Sequence, residues 1–317
     1  MPSCTLAPKL RFYNYAPAAT SIQERILRGL KQPEKQLPSF LLYDARGIRL
    51  FDRLSKAGDY TAARHESRLL AQCGQELRRL AGSRATVVEY GSGAARTAVV
   101  LLRSLKTVAG YVPVDLSLAS LKFGVHRVQR ASRGLEIAPV RADFTSCFPM
   151  PPLARSSART LVYVSSCTMS ALDFAAATRL VQGAIKLGGQ RGAVLLGVGL
   201  RGPLAEGDPR AFNLNVLRHV NRRFAANFRQ ERFASALVYD ADRGRSELRL
   251  LSQMEQTIKI DQAKVRLRRG DSILTEARRQ YGWDEIKALA DDAGGHVERV
   301  WISDERAVAL CLLRPAR

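Results

Sequence analysis

Thr86-Val87-Val88-Glu89-Tyr90-Gly91-Ser92-Gly93 runs directly into Ala94-Ala95-Arg96-Thr97-Ala98-Val99-Val100-Leu101-Leu102. The first half is a short β-branched run ending in a glycine turn, and the second begins an apolar helical pattern. Strand, glycine loop and helix in that order open a nucleotide-type α/β fold. Glycine at 91 and 93 removes side chains where a ligand must lie against the backbone. The helix start behind them presents N–H groups without intrahelical partners. Arg96 stands where the third glycine of the dinucleotide fingerprint would fall. A dinucleotide rests its pyrophosphate on such a helix start. S-adenosylmethionine has no phosphate and asks less of it, so the short Gly-x-Gly suits it better. A Gly-x-Gly after a strand also closes ordinary tight turns, so the other strand ends must decide.

Downstream, the alternation continues. Gly110–Asp115 reads as a second strand, Ser117 as the cap of a helix reaching about Ser132, and Glu136–Val140 as a third strand leading to Asp143. Thr160–Ser165, a helix from about Leu172 to Lys186, and Ala193–Gly199 follow. Such spacing gives a mostly parallel central sheet covered on both faces, an α/β fold of the Rossmann-like kind. Upstream lies a helical preface. Ser21-Ile22-Gln23-Glu24 has the form of a capping box, opening a helix to about Leu30. A shorter helix passes through Leu50, Phe51 and Leu54 and breaks at Gly58-Asp59-Tyr60, and a long amphipathic helix spans about Ala62 to Leu80. Past Gly199 the pattern changes: a helical stretch over 211–221, strands over 234–239 and 246–260 with 264–268 beside them, then a helix over 283–293. Strands over 297–302 and 308–313 return to the main sheet. The division expected is therefore residues 1–60 as an N-terminal arm and helices closing over the site, 61–199 with 276–317 as the ligand-binding core, and 200–275 as an inserted α/β lobe for the substrate.

Composition narrows the class. Hydrophobic residues make up 46% of the 317, enough for a sizeable core. No apolar run reaches the roughly 18 residues of a membrane span, and the N-terminus has no secretory apolar segment. Five cysteines, odd in number and without C-x-x-C spacing, read as reduced thiols of a cytoplasmic protein. With four isolated histidines beside them, no metal site is expected. The net charge of +21 raises the question of a polyanionic partner. Yet the cations are spread along the chain, with short clusters only at 221–223 and 264–269, and no aromatic-interleaved basic stripe is present. The charge is read as an arginine-rich exterior and nucleic acid is not the expected partner. A small-molecule substrate is, and the chain is expected as a monomer or homodimer.

In an open parallel sheet the ligand lies beyond the carboxyl ends of the strands. Gly91, Ser92 and Gly93 follow the first strand. Asp115 ends the second, where a carboxylate accepts both ribose hydroxyls. Asp143 and Phe144 end the third, where an acid accepts from the adenine amine and a ring covers its face. A single Asp at a strand end usually caps a helix. Three successive ends furnished in this way point to an adenosine-containing ligand.

Several further stretches carry a resemblance: Leu42-Tyr43-Asp44, Gly47-Ile-Arg-Leu-Phe51-Asp52, Asp59-Tyr60, Glu89-Tyr-Gly-Ser-Gly93, Pro113-Val-Asp115, Asp143-Phe144, Leu196-Gly197, Phe212-Asn-Leu-Asn-Val-Leu217 and Leu274-Thr275-Glu276. With these, the chain from Gln23 to Leu313 resembles the histidine-specific Nα-methyltransferases of ergothioneine biosynthesis. The resemblance implies a class I methyltransferase core using S-adenosylmethionine, with Tyr43, Gly91, Asp115, Asp143 and Phe144 at the cofactor. It places Tyr60 and Glu276 at the substrate as the catalytic candidates, with Thr168 and Asn213 also on the substrate side.

The departures fall on the amino-acid side. The family's Gly-x-Thr-Ile-Gly-Asn run, whose Asn helps hold the amino acid's carboxylate, reads Ser166-Cys167-Thr168-Met169-Ser170-Ala171 here. The segment before Phe212, which brings a tyrosine to that carboxylate, is short and has none. The Glu-x-Ser pair that meets the imidazole is Glu276-Ala277-Arg278. A carboxylate such as Glu276 can orient an amine or accept its proton. Arg278 can form a bidentate pair with a substrate carboxylate, or pair with Glu276 instead. The expected activity is methylation of a small amino-acid-like metabolite on an amine nitrogen, with a substrate other than histidine, as in specialised metabolism. The alternatives are histidine methylation in a rebuilt pocket, S-methylation of a thiol or thioether amino acid, action on RNA or protein, and a cofactor-binding relative without turnover.

Overall fold

The computed structural model describes residues 10–57, 61–153, 157, 159–201 and 208–316. Among the described residues the first elements are β1 (Tyr13–Asn14), α1 (Ala19–Lys31), β2 (Lys35–Gln36), a 3-10 turn over Ser39–Leu42 and α2 (Gly47–Ala57). Then come α3 (Thr61–Gln72), α4 (Gly74–Ala81), β3 (Ala85–Tyr90), α5 (Arg96–Leu105), β4 (Val108–Asp115) and α6 (Leu118–Ala131). The next run is β5 (Val140–Arg141), β6 (Thr160–Val164), α7 (Ser166–Ser170), α8 (Phe174–Gly188) and β7 (Ala193–Gly199). After α9 (Arg210–Phe224) follow β8 (Phe233–Asp240), β9 (Arg245–Ser252), β10 (Gln256–Ile260), β11 (Ala263–Leu267) and β12 (Ser272–Arg279). The chain closes with α10 (Trp283–Asp292), β13 (Gly295–Ile302) and β14 (Val308–Pro315).

The main sheet has the order β1-β5-β4-β3-β6-β7-β14-β13. Its first six strands are parallel, β14 runs antiparallel to β7, and β13 pairs antiparallel with β14 at the far edge. Strand β3 is buried at every position, as a central parallel strand must be when helices cover both faces. One core lies on the α8–α10 face around Val88, Val112, Val162 and Leu196, and another on the α3–α5 face around Leu70, Leu101 and Leu195. A second, four-stranded sheet of order β2-β12-β9-β8 has its own core, shared with α1, α9 and the β10–β11 hairpin. Ile22, Ile26 and Leu30 of α1 meet Val216, Leu248 and Ile273 there.

Several expectations need correcting. The capping box does not form: α1 starts at Ala19, and the Ser21 hydroxyl donates back to the Ala18 carbonyl at 2.7 Å. The long helix over 62–80 is two helices broken at Cys73. The break lets Gly74 close on α5, where a Cβ would fall 2.7 Å from the Ser104 Cβ. The third strand shrinks to Val140–Arg141, since Pro139 has no N–H to donate, and Tyr13 of the N-terminal arm pairs beside it. The strand read over 246–260 is two, β9 and β10. The boundary expected between 275 and 276 falls inside β12, and β2 of the preface pairs with that same strand. The break expected at 58–60 lies outside the described residues. Among the described residues no helix is long and apolar enough to cross a membrane.

Candidate active site

The carboxyl ends of β3, β4 and β5 form the floor of a cavity of about 930 Å³, within the range of small-ligand sites. Gly91 has φ +70°, and a Cβ on it would collide with the Thr168 side chain. The Thr168 hydroxyl donates to the carbonyls of Tyr90 and Gly91, at 3.2 and 3.3 Å, so α7 braces the glycine loop. Ser92 is buried on the cavity wall, and its hydroxyl has no hydrogen-bond partner among the described residues. Asp115 Oδ2 accepts the Gly93 N–H at 2.9 Å and Oδ1 accepts the Ser117 N–H at 2.8 Å. Each oxygen retains acceptor capacity beyond these bonds, enough for a vicinal diol. Burial pushes the Asp115 carboxyl up to about 6 against those two bonds. Asp143 Oδ1 accepts from the Thr145 backbone and hydroxyl, and the Phe144 ring stacks on Tyr90 at 6.0 Å and 11°. Seven of the residues expected at the cofactor therefore line one cavity: Tyr43, Gly91, Ser92, Gly93, Asp115, Asp143 and Phe144. An orphaned hydroxyl, a glycine cradle and a carboxylate with free acceptor capacity suit the nucleoside part of S-adenosylmethionine.

The preface is tied to each of the three strand ends. Asp52 of α2 accepts Arg96 Nε at 2.7 Å and Arg127 Nη2 at 2.9 Å. Burial opposes ionisation of Asp52, but the two arginines outweigh it and hold the carboxyl below its ordinary range. The Ser117 hydroxyl donates to the Tyr43 carbonyl at 2.6 Å, and Arg25 of α1 reaches Asp143 at 3.4 Å. Sequence reading missed this Arg96–Asp52–Arg127 link, although Arg96 was visible as the residue replacing a fingerprint glycine. Asp52→Ala removes the shared acceptor of two guanidinium groups. It is expected to cost about 1–3 kcal/mol in urea unfolding, and an unchanged midpoint would contradict the link.

At the opposite wall, Glu276 and Tyr43 meet. The Tyr43 hydroxyl donates to Glu276 Oε1 at 2.7 Å, and Arg278 Nε and Nη2 both lie 2.8 Å from Oε2. A bulge between Leu274 and Glu276 brings both Thr275 and Glu276 to the cavity. Beyond it Ala277 and Arg279 line the wall, while Arg278 is buried in its pair with Glu276. Ala171 lines the cavity too. Asn213 does not reach it: fully buried, its Nδ2 donates to Ser235 Oγ and the Arg249 carbonyl, and its Oδ1 accepts from Thr275. Asn215 likewise bonds Asp44. The two asparagines are clamps between α9, the four-stranded sheet and the preface, a role their motif did not reveal. Tyr60 lies outside the described residues. No cluster of metal-ligating side chains occurs among the described residues.

Residues 22–315 match the histidine-specific, S-adenosylmethionine-dependent methyltransferase family. The chain belongs to that family. It is 27% identical over 299 residues to a histidine N-alpha-methyltransferase of Mycolicibacterium smegmatis, covering 90% of this chain and 92% of that one. It is 23% identical over 304 residues to the N-methyltransferase fsqC of Aspergillus fumigatus, covering 92% and 83%. Among solved structures, an S-adenosylmethionine-dependent methyltransferase from Clostridium acetobutylicum shares the fold at a TM-score of 0.50 and 11% identity, covering 86% of this chain and 98% of that one. The protein is thus an S-adenosylmethionine-dependent methyltransferase with a Rossmann-like core, and the two relatives just named are N-methyltransferases.

Proposed function

We propose that the protein methylates an amine nitrogen of a small amino-acid-like metabolite other than histidine. The observation that carries this reading is the engagement of both Glu276 oxygens within the chain. One oxygen holds the Tyr43 hydroxyl and the other the Arg278 guanidinium. The carboxylate that the family resemblance aims at an imidazole is therefore already engaged within the chain. Ala171 supports the same reading, since it offers no amide where the family pattern has one.

In this reading Gly91, Ser92 and Gly93 receive S-adenosylmethionine along the loop, Asp115 takes the ribose hydroxyls, and Asp143 with Phe144 takes the adenine. Tyr43 closes the wall between that end and Glu276. Bound there, S-adenosylmethionine supplies a methyl group already activated by its sulfonium. The protein's own work is alignment and keeping the acceptor amine unprotonated. Glu276, fixed in position by Tyr43 on one oxygen and Arg278 on the other, orients the amine through the lone pairs those bonds leave free. Tyr60, by resemblance, joins the acceptor side. The four-stranded sheet with α9 serves as the substrate lobe.

Methyl transfer from labelled S-adenosylmethionine to each free L-amino acid tests the reading. Turnover of a non-histidine amine is expected, and turnover of histidine alone would overturn it. The second reading, histidine Nα-methylation in a rebuilt pocket, is favoured by the family match and the mycobacterial relative. The same assay separates the two.

A further inference from the structure

Where β9 and β12 border the cavity, Arg245 and Arg279 stand directly opposite each other in antiparallel register, and both line the wall. Like charges in that position repel. Their counter-charge is shared out thinly. Glu247 is bonded by both Arg245 and Arg249, and Glu285 by both Arg279 and Arg201. Two carboxylates thus make direct ion pairs with four guanidinium groups; Glu34 also pairs with Arg249, and Glu34 and Asp240 act on Arg245 only at longer range. Arg245 and Arg279 are only 22% and 24% exposed, so water compensates them poorly.

Arg279 is also held in place. Its guanidinium carbon lies 5.8 Å from the Phe174 ring centre and 5.6 Å from that of Tyr281, and Nη2 donates to Glu285 at 2.6 Å. Its Nε–H is buried with no hydrogen-bond acceptor among the described residues. A charged donor left without an acceptor costs more than a typical hydrogen bond gains. Arg179 of α8 adds a further cation to the same wall. Asp173 shares that wall, but its Oδ1 is engaged as the cap of α8 by the Ala176 N–H at 2.7 Å.

The geometry points to a carboxylate seat in the acceptor pocket: Arg279, with Arg245 opposite, receives an anionic carboxylate of the methyl acceptor. The substrate is then an amine that carries a free carboxylate, and the corresponding amide is excluded. Arg279 is the specificity-determining residue, in place of its neighbour Arg278. This rests on the reading of the acceptor as amino-acid-like.

The test uses the full chain saturated with S-adenosylhomocysteine. Each of the twenty L-amino acids and its C-terminal amide is titrated by calorimetry, and the same pairs are offered in the methyl-transfer assay. At least one acid is expected to bind about 10- to 100-fold more tightly than its amide, the range for charge-assisted hydrogen bonds. Arg279→Gln removes that preference, while Arg279→Lys keeps part of it and both retain wild-type affinity for S-adenosylhomocysteine. Equal binding of acid and amide, a preference surviving in Arg279→Gln, or no acid binding at all would overturn the proposal. Methyl transfer without acid–amide discrimination sinks the carboxylate seat and spares the proposed function. Discriminating binding without transfer to any amine does the reverse.

Discussion

Asp115→Asn is expected to weaken S-adenosylhomocysteine binding by about 100- to 1,000-fold, which calorimetry reads directly. A carboxylate that accepts two ribose hydroxyls contributes two charge-assisted bonds, each about 1.5–3 kcal/mol. Asparagine keeps the shape but has a single acceptor oxygen. Both Asp115 oxygens already accept backbone N–H groups, from Gly93 and Ser117, so the new NH₂ must face one of those donors. The substitution therefore removes ligand bonds and pushes against the loop that presents them. In the wild type, protonation has a milder version of the same effect. With the carboxyl pushed up to about 6 by burial, affinity is expected to fall as pH drops below that value. Undiminished affinity in the variant would show that the ribose lies elsewhere.

The second large effect concerns stability and pH. Glu89 ends its side chain inside the sheet, 1% exposed, where the Tyr111 hydroxyl bonds it. Burial pushes its carboxyl up from 4.5 to about 8 against the Tyr111 bond, with the charges of Glu66 and Asp115 adding to the rise. A carboxyl raised on folding keeps its proton longer in the native state than in the unfolded one. Its stabilising contribution is thus complete below about pH 4.5 and is lost as pH rises through about 8. At 1.36 kcal/mol per pH unit, the gap amounts to an upper limit of about 5 kcal/mol. Glu89→Gln cannot ionise and can still accept from Tyr111. The variant is expected to match the wild type in urea unfolding near pH 5 and to exceed it by several kcal/mol at pH 9. Parallel stability profiles for the two proteins would show that Glu89 does not titrate in this window.

The floor of the site was legible in the sequence because it is local. Gly91, Asp115 and Asp143 each sit at the end of a strand or within two residues past it. The connection of a parallel sheet then brings those ends together. The acceptor wall was less legible because it depends on register. Whether Arg278 or Arg279 faces the cavity is decided by a bulge between Leu274 and Glu276, and a one-residue slip exchanges the faces of a strand. Asn213 was misread for a related reason. A polar residue in a striking motif looks like a ligand contact, but it serves as a buried clamp once α9 is laid against β8, β9 and β12. The break at Cys73 had no local signal beyond Gly74, whose meaning comes from the approach of Ser104 thirty residues later.

The preface also bears on how the chain is made. Its ties bridge long stretches of sequence: Asp52 to Arg96, Tyr43 to Ser117, Arg25 to Asp143, and Tyr43 again to Glu276 near the far end. During synthesis Ile22, Ile26 and Leu30 leave the ribosome long before Leu248 and Ile273 exist to cover them. Helix α1 therefore waits for partners made more than two hundred residues later, and until then the nascent chain carries an oily, unsheltered flank. The segment that completes the pocket is thus open to chaperones and to mispairing on the way there.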